Sequence, residues 1–302
     1  MSKLAFLKYS AFLFAGAGTL TAGSSLLLRK KLNRLERWFF GLVILGSTLG
    51  VYARFIEPNW IVVSRVVIRD AELAKSLEGV RIVQISDIHV TGGLGMREAQ
   101  LVKKVNALKP DFLFITGDFV DHLREVKPMR ELLSKFKARM GIWGVPGNTD
   151  HISFDGREFA DALQLAGIKI LVNESERLQV AVGKYFWLVG SDDPVYGYAD
   201  LDRALSGVPP GAPTILLAHA PNIFDKAIRE KINLVLVGHT HGGQIGIPFL
   251  VHLSEYANRT PYMRGLFKKD ATQLYVNRGI GTKTLPIRFL CPPEISLIEV
   301  VK

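Results

Sequence analysis

The stretch Val237-Gly238-His239-Thr240-His241-Gly242-Gly243-Gln244 constrains this chain more than any other. Two imidazoles stand two residues apart directly after the apolar run Leu234-Val235-Leu236-Val237, so a short buried strand delivers both to one point. Polar clusters upstream repeat the arrangement. Asp87 and His89 follow the apolar run 81–86, Asp118 follows 112–117, and Asn148 follows 142–147. His219 follows 214–218. In α/β folds, ligands gather beyond the carboxyl ends of the strands. Any one of these residues alone is an ordinary turn or capping residue. Together they hold six of the seven histidines in or beside strand ends, His252 being the exception, and a solvated surface does not order histidines so. Carboxylate, imidazole and amide donors without a thiolate suit Mn²⁺, Fe or Zn²⁺. Two such cations about 3.5–4 Å apart repel, and a carboxylate can bridge them.

Beyond Glu57-Pro58, short apolar runs alternate with amphipathic segments. Strands are expected over 60–68, 81–86, 112–116 and 142–145, and helices over 96–108, 128–138 and 154–165. This βαβ alternation predicts a largely parallel central sheet. The second half is richer in strands, expected over 168–171, 178–182, 186–189, 214–218, 234–237, 274–277 and 295–300. Two sheets packed face to face with helices outside would accommodate them.

The formal charge of +10 matters less for its size than for its position. Residues 1–69 hold ten Lys/Arg and two acids, a net +8, which leaves about +2 for the other 233 residues. A basic nucleic-acid surface on the folded part is therefore not expected. The basic residues flank two uncharged runs, 9–28 and 38–53. The first has the roughly 20 residues that a spanning helix needs; the second is slightly short, but Arg54 can snorkel and Trp38 can sit at the interface. The segment 1–57 is thus expected to be a membrane anchor of two transmembrane helices, in a bacterial inner or plasma membrane, with the lipid bilayer as partner. The connector 29–37 carries five Lys/Arg, and placing it in the cytoplasm puts 58–302 on the extracytoplasmic side. One signal-anchor helix followed by an interfacial helix would reverse that orientation. Cys291 is the single cysteine, which excludes an intrachain disulfide and a multi-cysteine zinc site. No protein partner is inferable.

The succession Asp87-x-His89, Gly117-Asp118-x-x-Asp121, Gly147-Asn148, His219 and Gly238-His239-x-His241 resembles the calcineurin-like metallophosphoesterase family. The resemblance covers the chain from about residue 80 to its end. The stretches 238–244, 275–282 and 286–294 look like the membrane-associated bacterial branch, which includes phosphodiesterases and an enzyme that cleaves UDP-2,3-diacylglucosamine. The resemblance implies an α/β fold, a four-layer α/β/β/α sandwich over 58–302, and two divalent ions, Mn²⁺ first with Fe or Zn²⁺ as alternatives. It assigns Asp87, His89 and His241 to one ion, Asn148, His219 and His239 to the other, and Asp118 as the bridge. Asp121 would stand behind a ligand.

The expected chemistry is hydrolysis of a phosphodiester or pyrophosphate in a lipid-linked or amphiphilic substrate. Two cations neutralise phosphoryl oxygens and lower the pKa of bound water, so hydroxide can attack phosphorus in line. The family's usual proton donor is a histidine directly after the asparagine; Thr149 stands there, and its hydroxyl is a poor acid near neutrality. His151, oriented by Asp150, is one candidate replacement; the other expectation is that no acid is present. A pyrophosphate, whose leaving group is a good one, suffers less from that loss. Alternatives are a UDP-2,3-diacylglucosamine pyrophosphohydrolase, which needs a cytoplasmic site, a nuclease of the same fold, and a catalytically impaired metal-binding membrane scaffold.

Overall fold

The computed structural model describes residues 33–153 and 161–302. Among the described residues, twelve strands form two six-stranded sheets. The first runs in the order β1 (Val62–Arg69), β12 (Glu294–Val301), β2 (Ile82–Ile85), β3 (Phe112–Thr116), β4 (Gly141–Val145), β5 (Lys169–Ile170). The second runs β10 (Gly265–Lys269), β11 (Thr272–Val276), β9 (Leu234–Val237), β8 (Thr214–Leu217), β7 (Lys184–Gly190), β6 (Glu174–Ala181). Neither is wholly parallel. β2 through β5 are parallel, but β12 meets β2 antiparallel. In the second sheet β7, β8, β9 and β11 are parallel, with antiparallel strands at both edges.

Period-two alternation divides the strands between three cores. Phe112 and Phe114 of β3, Leu234 and Leu236 of β9, and Ile215 and Leu217 of β8 fill the space between the sheets. There the Phe112 ring meets Phe186 of the other sheet edge-on, centroids 5.4 Å apart. The intervening residues point outward. Leu113 and Ile115 pack with Leu101 and Val105 of α3 (Met96–Ala107) and with Met129 and Leu132 of α4 (Val126–Leu133). Leu216, Val235 and Val237 pack with Leu201 of α6 (Leu201–Leu205) and Phe224 of α7 (Phe224–Arg229). Because both faces are covered, the central strands are largely apolar runs instead of alternating with polar residues, with Gln84 of β2 an exception. This is the four-layer α/β/β/α order. Gln84 ties the sheets at one end: its amide donates to Thr116 Oγ1 in its own sheet and to Val237 O in the other.

The first apolar run, 9–28, lies outside the described residues, as does most of the helix expected over 154–165. The second run is helical, but α1 (Arg34–Val51) begins inside the expected connector. Asn33 accepts from Glu36 N and the Glu36 carboxylate accepts from Asn33 N, a capping box that sets the start. None of α1 is buried. Helical turns continue it to Asn59, giving a span of 26 residues, long and apolar enough to cross a membrane. The helix expected over 128–138 ends at Leu133, and the expected helix 96–108 is α3. The short helices α2 (Ala71–Leu77) and α8 (Pro248–Asn258) and the strand β10 are additions to the expected set.

Candidate metal centre

The seven expected ligands come from five loops, each at the carboxyl end of a strand. Asp87 and His89 follow β2, Asp118 follows β3, Asn148 opens α5 (Asn148–Ser153) after β4, His219 follows β8, and His239 and His241 follow β9. Five of them, Asp87, His89, Asp118, His239 and His241, have left-handed backbone, with φ between 44° and 70°. Asp and His tolerate this region better than most residues, yet each such position costs about 1–3 kcal/mol. Cross-loop hydrogen bonds hold the turns there: Asp87 N donates to Gly117 O, His89 N to Asp118 O, and Gly238 N to His219 O. Gly147 and Gly238 are among the glycines with no tolerable replacement. A Cβ on Gly147 would strike Asp118, and one on Gly238 would strike Ser86 Oγ and Asp87 Oδ2.

The donors converge in two groups. His89 Nε2 lies 3.2 Å from His241 Nε2 and 3.4 Å from Asp118 Oδ2, and His241 Nε2 lies 3.4 Å from Asp87 Oδ1. His219 Nε2 lies 3.0 Å from Asn148 Oδ1, 3.1 Å from His239 Nδ1 and 3.4 Å from Asp118 Oδ1. Asp118 thus faces both groups, one oxygen to each. The far ring nitrogens fix the tautomers. His219 Nδ1–H donates to Thr116 O at 2.8 Å, and His89 Nδ1–H donates to Asp121 Oδ1 at 3.0 Å. Both Nε2 atoms thereby face the other ligand-type atoms of the cluster, the orientation that metal-binding imidazoles take when their far nitrogen is held by a hydrogen bond. Asp87 Oδ1, wholly buried in this cluster, has no hydrogen-bond donor among the described residues. The oxygen and imidazole donors fit divalent ions.

The protein's own charges arrange themselves around Asp118. Burial raises its carboxyl, but flanking His219 and His89 hold it well below the usual range. Burial pulls His219 down, yet the Asp118 charge outweighs it and raises the imidazole to about 10. His239, buried and facing His219, is pushed down to about 3. His241 falls well below its ordinary value through burial and the neighbouring His89. Asp87 is raised by burial. Cations loaded here displace protons, so loading tightens as pH rises.

Thr149 and Asp150 are buried in the same turn, and neither faces the cavity. The Thr149 hydroxyl has no partner among the described residues. Asp150 accepts from Gly147 N, Asp118 N and Phe119 N at 2.8–3.0 Å, clamping the two loops that carry Asp118 and Asn148. Burial and the Asp118 charge push its carboxyl up to about 7. His151 pairs instead with Asp192, Nε2 to Oδ1 at 2.6 Å, and packs on the Tyr198 ring. The carboxylate that meets His151 is thus Asp192, while the expected partner Asp150 meets backbone N–H groups. A cavity of about 340 Å³ opens over the donors, lined by Asp118, Asn148, His239 and His241 and by Gln244 and Lys283. Lys283 was not legible as a site residue; its ammonium lies 2.8 Å from Asp121 Oδ1, so Asp121 joins it to His89. Arg288 was missed too. Wholly buried, it donates to the carbonyls of Arg278, Gly279, Gly281 and Cys291 and braces the loop behind His241.

Fold and donor set together define a metal-dependent phosphoester hydrolase. The chain belongs to the calcineurin-like phosphoesterase family, whose model matches residues 80–243. It is similar to the metallophosphoesterase YkuE of Bacillus subtilis, 32% identical over 89% of this chain and 97% of that one. It is also 32% identical to a transmembrane protein with metallophosphoesterase domain from Danio rerio, over 85% of this chain and 61% of that protein. The UDP-2,3-diacylglucosamine pyrophosphatase LpxG of Chlamydia trachomatis is 28% identical over 82% of this chain and 92% of its own length.

Proposed function

We propose that the chain is a membrane-anchored dinuclear phosphoesterase that cleaves a phosphodiester or pyrophosphate bond in a lipid-linked or amphiphilic substrate. The observation that carries this is the convergence of carboxylate, amide and imidazole donors on the two oxygens of Asp118. Residues 1–57 form the anchor and 58–302 the catalytic domain; the exposed apolar span Arg34–Asn59 supports this division. Asp87, His89 and His241 would hold one ion and Asn148, His219 and His239 the other, with Asp118 placed to serve both. Mn²⁺ is the ion of first choice. When bound, two divalent cations neutralise phosphoryl oxygens and supply hydroxide near neutral pH.

The protein's residues do the rest. Asp121 and Thr116 O hold His89 and His219 with Nε2 toward the site. Lys283, on the cavity wall, offers a positive charge to a phosphate oxygen. The buried Thr149 hydroxyl has no partner among the described residues and His151 is turned to Asp192, which supports a reaction that needs no proton on the leaving group. Substrates with acidic leaving groups, pyrophosphates among them, fit best. The likeness to LpxG supports UDP-2,3-diacylglucosamine as a second reading. That substrate requires a cytoplasmic domain, whereas the basic connector favours the extracytoplasmic side.

The test is turnover by the full chain loaded with Mn²⁺. Bis-p-nitrophenyl phosphate and UDP-2,3-diacylglucosamine are offered separately. Hydrolysis of the first alone supports the general reading, and hydrolysis of the second supports the pyrophosphatase. Asp118→Ala is expected to lower either rate by on the order of 10³-fold or more. A variant with wild-type turnover would refute the dinuclear site.

A further inference from the structure

We propose that the metal-site end of the sandwich is seated on the bilayer surface through an apolar rim around the cavity mouth, so that the site draws phosphoester headgroups from lipids in the membrane plane. This rests on the reading of Arg34–Asn59 as a membrane span.

Strand direction carries the first part. β1 is parallel to β12, and β12 is antiparallel to β2. The amino end of β1, where the chain enters from the anchor, therefore lies at the same end as the carboxyl ends of β2, β3 and β4. Those are the strand ends that bear Asp87, Asp118 and Asn148. Anchor and metal donors share one end of the molecule.

The joint between them is fixed. Arg288 N donates to Ala53 O at 2.9 Å. The Glu57 carboxylate, 1% exposed, accepts from Leu290 N and Cys291 N at 3.0 and 2.5 Å. The Tyr52 and Phe289 rings meet edge-on at 6.2 Å. From this loop the contacts run straight to the site: Cys291 Sγ donates to His241 O, Phe289 N to Gln244 O, and Gly246 N to Phe289 O. A buried carboxylate accepting two backbone N–H groups is an anchor point for the whole turn and not a flexible tether.

Apolar side chains are exposed on this loop, on α8 and at the end of the span. Phe249 is 70% exposed, Leu290 59% and Leu285 45%, and Phe55 at the end of the span is exposed beside them in sequence with the joint. Leu285 directly follows the cavity residues Lys283 and Thr284, and its carbonyl accepts from Gln244 Nε2. Exposed apolar residues that neighbour the cavity-lining residues in sequence, on segments joined to a spanning helix, match a surface that dips into the headgroup region. Lys283 at the mouth and Arg54 in the joint would lie at headgroup level, where cations face lipid phosphates.

The opposite end supplies an internal reference. β7 is parallel to β8 and antiparallel to β6, so the β6–β7 turn lies away from the metal donors. Val182 in that turn is 99% exposed.

The experiment uses the full chain in nanodiscs of phosphatidylethanolamine and phosphatidylglycerol. Nitroxide labels on Phe249→Cys, Leu285→Cys and Val182→Cys are compared by power saturation with oxygen and with a water-soluble nickel chelate. The native Cys291 is buried and serves as the unlabelled background. Labels at 249 and 285 are expected to be oxygen-accessible and nickel-protected, and the label at 182 the reverse. Equal nickel access at all three positions overturns the proposal. A second arm uses Phe249→Glu with Leu285→Glu. Hydrolysis of a p-nitrophenyl phosphodiester of diacylglycerol in vesicles should fall about fivefold or more, while soluble bis-p-nitrophenyl phosphate is turned over unchanged. Unchanged rates on vesicles would also overturn it. If the wild type hydrolyses neither compound, the phosphoesterase reading fails, and the label depths still decide the seating.

Discussion

The two ends of the sandwich follow opposite rules. At the metal end, buried carboxylate, amide and imidazole groups crowd within 3.0–3.4 Å, five of the seven candidate ligands sit in left-handed backbone, and Asp87 Oδ1 has no donor among the described residues. At the far end, charges are placed as most proteins place them. Asp70 caps α2 by accepting from Glu72 N and Leu73 N, and Asp111 accepts from Arg81 N while pairing with Arg139. The three cores between are apolar. The difference teaches that mutually crowded carboxylates and imidazoles are gathered at one end, where cations would satisfy them, while the scaffold beneath is locally consistent; left-handed backbone itself is not special to that end, since Lys109, Lys231 and Asp270 adopt it too.

Four perturbations break or sharpen that contrast. The largest effect is expected from Asp121→Ala, which frees the His89 ring and leaves Lys283 unpaired; Mn²⁺ affinity, measured by titration calorimetry, should drop by about 10–100-fold. Wild-type affinity would mean that His89 is held by packing alone. Next comes pH. His219 rises from an ordinary 6.5 to about 10 because Asp118 outweighs burial. Its contribution to the stability of chelator-treated protein is complete below about pH 6.5 and is lost as pH rises through about 10. The thermal midpoint of the EDTA-treated chain should therefore fall across that window, and a midpoint that climbs would contradict the His219–Asp118 coupling. A smaller effect is expected from His151→Ala, because its ring faces Asp192: kcat on bis-p-nitrophenyl phosphate should change by less than about tenfold, where loss of a working general acid would cost roughly 10²–10⁴ on poor leaving groups. At the far end, Asp70→Ala should lower stability by about 1 kcal/mol in urea unfolding and leave turnover untouched.

Much of this architecture was legible in the sequence, for a physical reason. Strands buried on both faces are uninterrupted apolar runs, so β3 and β9 fall where Phe112–Thr116 and Leu234–Val237 place them. Edge elements lack that signal. β10, Gly-Leu-Phe-Lys-Lys, is half exposed and reads as loop, and the antiparallel joint of β12 to β2 depends on a pairing between distant segments. The candidate ligands were visible because each follows an apolar run. Their supports were not. Asp192 reaches His151 across 41 positions, Lys283 reaches Asp121 across 162, and Arg288 looks like a surface residue until the fold buries it. Asp150 was legible as important but not in its role, since neighbouring His151 suggested a pair where the backbone offered three donors.

The most direct test of the account is the metal content of the full chain after Mn²⁺ loading and removal of free ion, measured beside turnover. The wild type is expected to retain about two ions per chain, and Asp118→Ala one or none with no turnover. A wild type that binds no ion under any loading condition, or an Asp118→Ala chain that keeps both ions and full activity, would contradict it.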